Sequence, residues 1–330
     1  VGEEMLNVLA QRQFPVNELK VLARSAREIS VGGRKYDVRP TTAEEFEGVD
    51  VALFAGTENA SKEYGPVAAE KGAVVIDNSA TFRMDPKVPL VVPECNPDDV
   101  DWHEGIIANP NCSTIQMVVA LKPLHARSRI IRVVVSTYQA VSGTGRDAIN
   151  ELNEQAGQLL AGEQVTPSVY PYQIGFNLLP HIGSFRPDGY TSEEWKMVEE
   201  THKILGDKDI KVTPTTVRVP VFNSHSESVY IETEEKISRE EAIQLLSNAP
   251  GVVVVDESIP SDSDKNRRTY PMPIEASGRD ETFVGRLRED PFIPTGLSMW
   301  VVSDNLRKGA ALNAVQIAEL LAAKGMLKER

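Results

Sequence analysis

Short apolar runs recur along the first third of the chain and alternate with helical patterns such as SKEYGPVAAEKG. Nearly continuous apolar runs predict strands that are buried on both faces, and strands that alternate with helices form a parallel sheet. The pattern therefore predicts a doubly wound α/β domain, preceded by an amphipathic helix with Met5, Val8 and Leu9 on its apolar face. The predicted strands cover residues 18–23, 49–56, 72–79, 89–94 and 105–110.

The pattern changes after residue 111, where longer strands and a proline-rich loop region follow. A strand is predicted over 129–143, a helix from about Asp147, and a second helix over 191–205 with a capping box from Thr191 to Glu194. This order of elements is typical of a mostly antiparallel α+β domain. The remaining strands are predicted near 210–219, 228–234, 251–256, 283–288 and 297–303, before one long helix over 305–325.

These patterns predict two domains, with residues 1–111 and 305–330 in the parallel domain and residues 112–304 in the α+β domain. The formal net charge of −13 argues against nucleic acid or an anionic membrane surface as a partner. No apolar run reaches about 18 residues, so no membrane span is predicted. Two cysteines without CxxC spacing, and no signal peptide, predict a cytoplasmic protein with neither a disulfide framework nor a metal site.

The segment NPNCSTI places Cys112 at the start of the predicted helix STIQMVVALKPL. Unpaired N–H groups and the helix dipole favour a thiolate there, and open α/β sheets bind ligands at the carboxyl ends of their strands. Cys112 is therefore a candidate nucleophile, although a small buried apolar residue is the alternative for any cysteine. Cys95, in VPECNPD, has no such setting and is predicted to be structural.

A nucleophilic cysteine needs a base, and the chain has five histidines. His225 lies in RVPVFNSHSESVYIE, a polar interruption between two strand-like runs, and His181 follows NLLP. This spacing favours His225 but leaves His181 open. His125 lies about 20 Å along the helix that Cys112 begins, which is too far. The remaining two lie in polar or charged surroundings: His103 and His202.

Five motifs follow one another along the chain in this order: ANPNCST, TYQAVSGTG, EEWKMVEETHKI, RVPVFNSHSESV and DNLRKGAALNAVQIAELL. In these motifs, and over essentially its whole length, the chain resembles the bacterial aspartate-β-semialdehyde dehydrogenase family. The resemblance implies a Rossmann-like NADP-binding domain, a catalytic and dimerisation domain, and a homodimer. It also implies reversible, NADP-dependent reductive dephosphorylation of L-4-aspartyl phosphate to L-aspartate 4-semialdehyde through a cysteine thioester. This reaction belongs to the biosynthesis of lysine through diaminopimelate, and of threonine and methionine.

The resemblance also implies roles for five residues in catalysis and substrate binding. Cys112 matches the nucleophile, His225 the acid/base, and Gln139 the glutamine beside the reacting carbonyl. Arg218 and Glu193 match the residues that hold the substrate's carboxylate and amino group. A planar guanidinium suits bidentate recognition of a carboxylate, which makes physical sense of an arginine in that role.

Three residues match the groups around the phosphate in the family: Arg83, Lys196 and Asn111. They would bring an anion into an otherwise acidic protein. Without the resemblance, Glu193 and Lys196 are better explained as an exposed i,i+3 salt bridge, and Arg218 as a surface arginine at a strand edge.

Arg218 and His225 are seven positions apart in one segment. In a regular strand, positions seven apart face opposite sides. Both side chains can face one pocket only if the chain bends or bulges around Pro220 to Ser224.

The cofactor preference follows from the end of the predicted strand ELKVLA, which is followed by Arg24 and Ser25. An NAD site usually has an acidic residue here, whereas arginine and serine suit a 2′-phosphate, and the resemblance matches both to the family's NADP-binding pair. Val1 and Gly2 match the end of the family's glycine-rich turn, so its first strand and the rest of the turn are expected to be missing from the sequence. Further cofactor contacts implied by the resemblance are Ser142, Gly143 and Asn305.

Two other functions stay open. Another phosphorylating aldehyde dehydrogenase or acyl-phosphate reductase, acting on N-acetylglutamyl phosphate or glyceraldehyde 3-phosphate, shares the thioester chemistry, although its cysteine context differs from NPNCST. A non-catalytic dinucleotide-binding protein is the alternative outside enzymes. The joint presence of four residues argues against it: Cys112, Gln139, Arg218 and His225.

Overall fold

The computed structural model describes residues 1–257 and 269–327. The chain forms two compact units, one made of Val1–Asn111 with the residues from Ala310 onward, and one made of Cys112–Gly309. The first unit contains, in chain order, α1 (Gly2–Gln11), β1 (Val21–Ala23), β2 (Arg27–Val31), β3 (Arg34–Pro40), β4 (Val51–Phe54), α2 (Glu58–Glu70), β5 (Val74–Asp77) and β6 (Ile106–Ala108).

The second unit begins at the first residue of a helix and contains six of the twelve strands found among the described residues. Its elements are α3 (Cys112–Arg127), β7 (Ile130–Gln139), α4 (Arg146–Leu160), α5 (Ser192–Leu205), β8 (Lys211–Arg218), β9 (His225–Thr233), α6 (Arg239–Ser247), β10 (Val252–Val254), α7 (Pro273–Ala276), β11 (Thr282–Glu289) and β12 (Gly296–Ser303). The chain then returns to the first unit in α8 (Leu312–Ala323).

The parallel α/β arrangement predicted for the first unit is confirmed by the sheet β4-β5-β6, in which all pairs are parallel. Every residue of β5 is buried, because α1 and α8 pack on one face of the sheet and α2 packs on the other. Ile76 contacts the cluster that includes Val8 and Val315, while Val75 contacts the cluster that includes Ala68. Burial on both faces explains the continuous apolar run of this strand.

A second sheet of the first unit, in the order β1-β3-β2, contains a hairpin that the sequence analysis missed. Gly32 and Gly33 form the two-residue turn between β2 and β3, and both have positive φ, as a type I′ turn requires. Polar or charged residues separate the few apolar residues of β2 and β3, and both strands are largely exposed. The hairpin therefore lacks the apolar runs that predicted the other strands.

The strand predicted at 89–94 is wrong. Only Leu90 makes a bridge, to Ala108, although the segment is buried as its apolar residues suggest. The side chain of Asn96 donates to the Leu90 carbonyl oxygen at 2.9 Å and accepts from the Val92 N–H at 2.9 Å. An asparagine side chain thus satisfies backbone groups that a neighbouring strand would otherwise pair, which allows burial without a strand.

The second unit is built on a six-stranded mixed sheet with the order β10-β11-β12-β9-β7-β8. The central pairs are antiparallel, and the outer pairs β10–β11 and β7–β8 are parallel. α3, α5 and α6 pack on one face, where Val135, Ile231 and Val301 are fully buried. On the opposite face, Ser228 is exposed and the rings of Tyr138 and Trp300 are 5.3 Å apart. The α+β prediction is confirmed.

Two predicted elements differ from the expectation, one where it ends and one where it begins. The strand predicted over 129–143 stops at Gln139, and Val141–Gly143 forms a 3₁₀ turn. The long helix predicted over 305–325 begins with a π-helical turn at Arg307–Ala311 before α8. Both irregular turns flank candidate site residues, where departures from regular geometry are common. Among the described residues, the helices are too short or too polar to cross a membrane.

Candidate active site

Cys112 is the first residue of α3, so its sulfur lies at the end of a helix where backbone N–H groups have no intrahelical partner. The positive end of the helix dipole favours a thiolate at this position. Sγ of Cys112 lies 3.3 Å from Nε2 of His225. The two side chains form a pair of the kind that activates a nucleophilic thiol.

Three neighbouring strands bring further candidate residues to one edge of the sheet. β7 ends at Gln139, β8 ends at Arg218, and β9 begins at His225. β7 and β8 are parallel, with Gln139 opposite Arg218, whereas β9 is antiparallel to β7, with Ser226 opposite Tyr138. The carboxyl ends of two strands and the amino end of the third therefore meet.

His225 is fully buried, and both of its ring nitrogens have defined neighbours. Nδ1 accepts a hydrogen bond from the backbone N–H of Ala140 at 2.9 Å, while Nε2 faces Cys112. A backbone N–H can only donate, so Nδ1 carries no hydrogen and the neutral ring has its hydrogen on Nε2. Burial, and next the positive charge of Arg218, hold the pKa of His225 well below its usual value. His225 is therefore a neutral donor towards the cysteine sulfur.

This geometry predicts the tautomer of His225. We expect its ring to carry hydrogen on Nε2 and none on Nδ1, and to stay neutral below the usual histidine pKa of about 6.5. Long-range ¹H–¹⁵N correlation spectra of histidine-labelled protein measure this, and loss of the signal in His225→Asn assigns it. An imidazolium near pH 7, or hydrogen on Nδ1, would contradict the described geometry.

Arg218 is a buried cation, with 6% of its surface exposed. Nη1 donates to the Ala140 carbonyl oxygen at 2.7 Å, and Nε is buried without a hydrogen-bond partner. No carboxylate forms a salt bridge with Arg218 in the part of the chain that the structure describes. A buried guanidinium with unused donors fits an anionic ligand, because an uncompensated charge is costly to bury. The alternative interpretation of Arg218 as a surface arginine at a strand edge is therefore wrong.

The bend expected between Arg218 and His225 is confirmed. β8 ends at the first residue and β9 begins at the second, and both side chains contact backbone atoms of Ala140. Ser224, the last residue of the bend, has a φ of +74°, which is strained for a residue with a side chain. Its N–H donates to Oδ1 of Asn305 at 2.9 Å, which helps to hold this conformation.

Gln139, Glu193 and Lys196 form a connected polar group. Nε2 of Gln139 donates to Glu193 Oε1 at 3.3 Å, and Lys196 Nζ lies 3.4 Å from the other carboxylate oxygen. Gln139 Oε1 accepts from the hydroxyl of Thr137 at 3.0 Å, which orients the amide. Glu193 is buried and Lys196 is half-buried, so the pair is more than an exposed salt bridge. Their helix begins with the predicted capping box, which is confirmed.

Two glycines allow close approach of backbone to the site. A Cβ at Gly143 would lie 3.2 Å from Nη1 of Arg218 and 3.3 Å from the ring of His225. A Cβ at Gly309, in the π-helical turn, would lie 2.9 Å from Cβ of Cys112. A larger residue at either position would displace a candidate site residue, and the sequence analysis did not single out Gly309.

Ser142 and Asn305, both expected to contact the cofactor, hydrogen-bond to each other within the second unit. The Ser142 hydroxyl lies 3.1 Å from Asn305 Oδ1, and Asn305 Nδ2 lies 3.0 Å from the same hydroxyl. Ser142 also donates to Asn223 Oδ1 at 3.0 Å. These contacts tie the 3₁₀ turn after β7 to the bend before β9.

The first unit carries the other candidate residues. Arg24 and Ser25 are exposed directly after β1, and Val1 precedes α1, of which Gly2 is the first residue. Arg83 is buried, with Nε donating to the Asn109 carbonyl oxygen at 2.9 Å. Asn111, also buried, is the last residue of this unit before Cys112.

The remaining histidines have structural surroundings. His125 and His103 accept backbone N–H bonds at Nδ1 from Ile130 and Gly105, and the ring of His202 contacts the Ile210 carbonyl oxygen. His181 stacks on Phe185, with 4.2 Å between ring centroids. His225, rather than His181, is therefore the histidine that the structure brings to Cys112. Cys95 is buried in the first unit. No cluster of possible metal ligands was found within residues 1–257 and 269–327.

Comparison with known proteins agrees with this division of the chain. The profile of the semialdehyde dehydrogenase NAD binding domain matches residues 1–103, and that of the semialdehyde dehydrogenase dimerisation domain matches residues 121–308. Aspartate-semialdehyde dehydrogenase of Aquifex aeolicus is 54% identical over 99% of this chain and 96% of its own length. The enzyme of Legionella pneumophila is 48% identical, over 99% and 94%. The crystal structure of Vibrio cholerae aspartate semialdehyde dehydrogenase II complexed with ASA has a TM-score of 0.91, with 44% identity over 98% of this chain and 95% of that one.

The matches to an NAD binding domain and a dimerisation domain place the chain in the semialdehyde dehydrogenase class of oxidoreductases. The matches to named relatives extend over nearly the full length of both chains. The chain belongs to the aspartate-semialdehyde dehydrogenase family.

Proposed function

We propose that this protein catalyses the reversible, NADP-dependent reduction of L-4-aspartyl phosphate to L-aspartate 4-semialdehyde and phosphate, in the biosynthesis of lysine, threonine and methionine. The observation that supports this most is the Cys112–His225 pair at the sheet edge that also carries Arg218, a buried cation without a carboxylate partner. A thiol nucleophile beside an anion-binding group suits an acyl substrate that has a free carboxylate.

Cys112 attacks the acyl carbon of aspartyl phosphate, the carbon–oxygen bond to phosphate breaks, and a thioester forms on Sγ. The residues proposed below for the cofactor would hold NADPH, which would supply a hydride to the acyl carbon, so that Cys112 would then carry a hemithioacetal oxyanion. The oxyanion then expels the thiolate of Cys112, which releases the aldehyde. The helix N-terminus at Cys112 and the Nε2 hydrogen of His225 favour the negative charge on sulfur at the beginning and end of the cycle.

His225 is proposed as the acid/base of the cycle, acting at Nε2. Proton exchange at Nε2 passes through an imidazolium or a ring with hydrogen on Nδ1. In both forms the hydrogen on Nδ1 would point at the N–H of Ala140, which now donates to that nitrogen. The contact between Ala140 and Nδ1 must therefore open during proton transfer. In the described geometry the ring is a hydrogen-bond donor, which by itself stabilises a developing oxyanion.

The residues that hold the substrate's polar groups are proposed from the family resemblance. Arg218 holds the α-carboxylate, Glu193 holds the amino group, and Gln139 faces the reacting carbonyl. Arg83, Lys196 and Asn111 are proposed to bind the phosphate. These are proposals from the resemblance, which the burial of Arg218 and Glu193 supports.

NADP is proposed as the cofactor. Arg24 and Ser25 are exposed at the carboxyl end of β1, and Arg24 forms no salt bridge within the described ranges, which fits a 2′-phosphate in a protein of net charge −13. Val1 and Gly2 at the start of α1 suit a phosphate group, since helix N-termini bind anions. The other proposed contacts are Ser142, Gly143 and Asn305.

The substitution Arg24→Asp tests the cofactor assignment. We expect kcat/KM for NADP to fall on the order of 10²-fold, because a charge-assisted bond is replaced by repulsion, while kcat/KM for NAD changes by a few fold only. Steady-state kinetics with both cofactors measure the effect. Arg34→Asp, which changes an exposed arginine at the start of β3, is the matched control. Equal kcat/KM for NADP and NAD in the parent protein would refute the assignment.

A homodimer is proposed through the face of the six-stranded sheet that lies opposite α3, α5 and α6. Tyr138 and Trp300 are half-buried there and Ser228 is exposed, a surface of apolar and small polar residues. The match to the dimerisation domain supports this choice. Sedimentation equilibrium at micromolar concentration is expected to give twice the chain mass of 36.3 kDa. A mass of one chain under those conditions would rule out the dimer.

The function is tested by the oxidative reaction, monitored as NADP reduction with L-aspartate 4-semialdehyde. We expect turnover that depends on inorganic phosphate. N-acetylglutamate semialdehyde and glyceraldehyde 3-phosphate, offered separately, distinguish the related dehydrogenases. Preference for either of these would replace the proposed substrate, and no turnover with any of them would favour a non-catalytic dinucleotide-binding protein.

A further inference from the structure

Glu151, on α4, is a buried carboxylate that holds a loop by its backbone. It is 5% exposed, and its oxygens accept from the N–H groups of Ser168 at 2.9 Å, Val169 at 2.7 Å and Tyr170 at 3.3 Å. Gln155, one helical turn later, adds a fourth hydrogen bond at 2.9 Å. No cation forms a salt bridge with Glu151 in the described residues, so its hydrogen bonds come from these three backbone N–H groups and the Gln155 amide. Three consecutive N–H groups on one carboxylate fix the backbone of residues 168–170 to α4.

The loop that Glu151 holds presents Tyr170 to Arg218. The ring centroid of Tyr170 lies 6.0 Å from Cζ of Arg218, at the outer limit of a cation–π contact. The phenol oxygen of Tyr170 lies 2.8 Å from the hydroxyl of Thr144. Thr144 directly follows Gly143, whose backbone lies close to the side chains of both Arg218 and His225. Burial raises the pKa of Tyr170, so the phenol is neutral and remains a donor at neutral pH.

We propose that Tyr170 is a wall of the pocket in which Arg218 binds the substrate's carboxylate, and that Glu151 positions this wall. The proposal rests on the proposed function, because it concerns the carboxylate of that substrate. The ring covers the guanidinium and excludes water from the ion pair, which strengthens the pair by lowering the local dielectric. Tyr170 therefore determines specificity for aldehydes that carry a carboxylate, whereas Glu151 acts only through the loop.

The proposal separates two substrates. An aldehyde with a carboxylate binds to Arg218 beneath the ring of Tyr170. An uncharged short aldehyde such as propanal has no carboxylate and depends on neither residue for binding. Loss of the ring should weaken binding of the first substrate and leave turnover of the second unchanged. A merely structural defect at Tyr170 would lower both activities together, so propanal turnover also reports whether each variant is folded.

The test is phosphate-dependent NADP reduction by the full chain, with L-aspartate 4-semialdehyde and, at high concentration, propanal. Tyr170→Ala is expected to raise KM for the semialdehyde on the order of tenfold, with a smaller change in kcat and no change in kcat/KM for propanal. Glu151→Gln should show the same pattern, since an amide group cannot accept all three N–H bonds. Tyr170→Phe keeps the ring and should stay within about threefold of the parent.

Tyr172→Ala is the matched control, because Tyr172 lies two residues further along the chain and is 70% exposed. It should leave both activities unchanged. If Tyr170→Ala leaves KM for the semialdehyde unchanged, or lowers kcat/KM for both aldehydes equally, the role of Tyr170 is overturned. A parent protein that does not turn over the semialdehyde would instead overturn the proposed function, and this inference with it.

Discussion

Cys112→Ser is expected to lower turnover by at least about 10⁴-fold while the fold and NADP binding are retained. The serine hydroxyl does not ionise near neutral pH, so the helix N-terminus and the Nε2 hydrogen of His225 have no anion to stabilise. The substitution replaces one atom in a half-buried side chain, so the packing of α3 is preserved. Steady-state kinetics in the oxidative direction measure turnover, and NADP titration by fluorescence measures binding.

Cys95→Ser is the matched control for that prediction. Cys95 is buried in the first unit and is predicted to be structural, so its substitution should leave activity within a few fold even if it costs stability. Comparable losses of turnover in the two variants would contradict the distinct roles assigned to the two cysteines.

Arg218→Lys and His225→Asn are expected to fail in different kinetic parameters, although both residues contact Ala140. Arg218→Lys keeps the charge but loses the planar fork, so KM for the semialdehyde should rise on the order of 10- to 100-fold. His225→Asn removes the ring that donates to the reacting groups, so kcat should fall on the order of 10²–10⁴-fold with a smaller change in KM. Initial-rate kinetics separate the two parameters.

The opposite assignment has a distinct outcome. If Arg218→Lys lowers kcat with KM unchanged, the guanidinium acts in the chemical step rather than in holding the carboxylate. If His225→Asn raises KM alone, the histidine binds substrate and Cys112 is activated by the helix N-terminus without it. Either result would break the division of roles between the end of β8 and the start of β9.

Strands that are buried on both faces could be predicted from the sequence, because burial makes them nearly continuous apolar runs. β5 has helices on both faces, so each of its four residues is apolar or hydrogen-bonded within the core, and periodicity identified it. The β2–β3 hairpin was missed because its few apolar residues are isolated among polar and charged ones, so it contains no apolar run. The segment 89–94 was predicted wrongly because Asn96, just beyond it, supplies hydrogen bonds that no apolar pattern records.

Side chains of the candidate site could be predicted from the sequence, but the backbone groups that hold them in place could not. Cys112 was identified by its place before a helix, and His225 by a polar break between strands. The position of Ala140 between Arg218 and His225 could not be predicted, because it acts through its N–H and carbonyl groups and lies 78 and 85 residues away from them. The burial of Arg218 was equally invisible, since a strand-end arginine is usually exposed.

Tyr170 and Glu151 illustrate the same limit at longer range. Glu151 lies on the buried face of α4, and its contacts to residues 168–170 depend on how the proline-rich loop returns to that helix. Sequence spacing predicts contacts within one element, because helices and strands repeat. It does not predict which loop backbone a buried side chain will meet.

In the proposed mechanism, catalysis passes through a covalent bond between the acyl group and Cys112. The most direct measurement is mass spectrometry of protein mixed with L-aspartate 4-semialdehyde and NADP without phosphate, followed by acid quenching and peptide mapping. We expect one aspartyl group on the peptide that contains Cys112, formed with one equivalent of NADPH and removed when phosphate is added. NADPH formation without an acyl group on Cys112, or an acyl group on another residue that is discharged by phosphate, would contradict it.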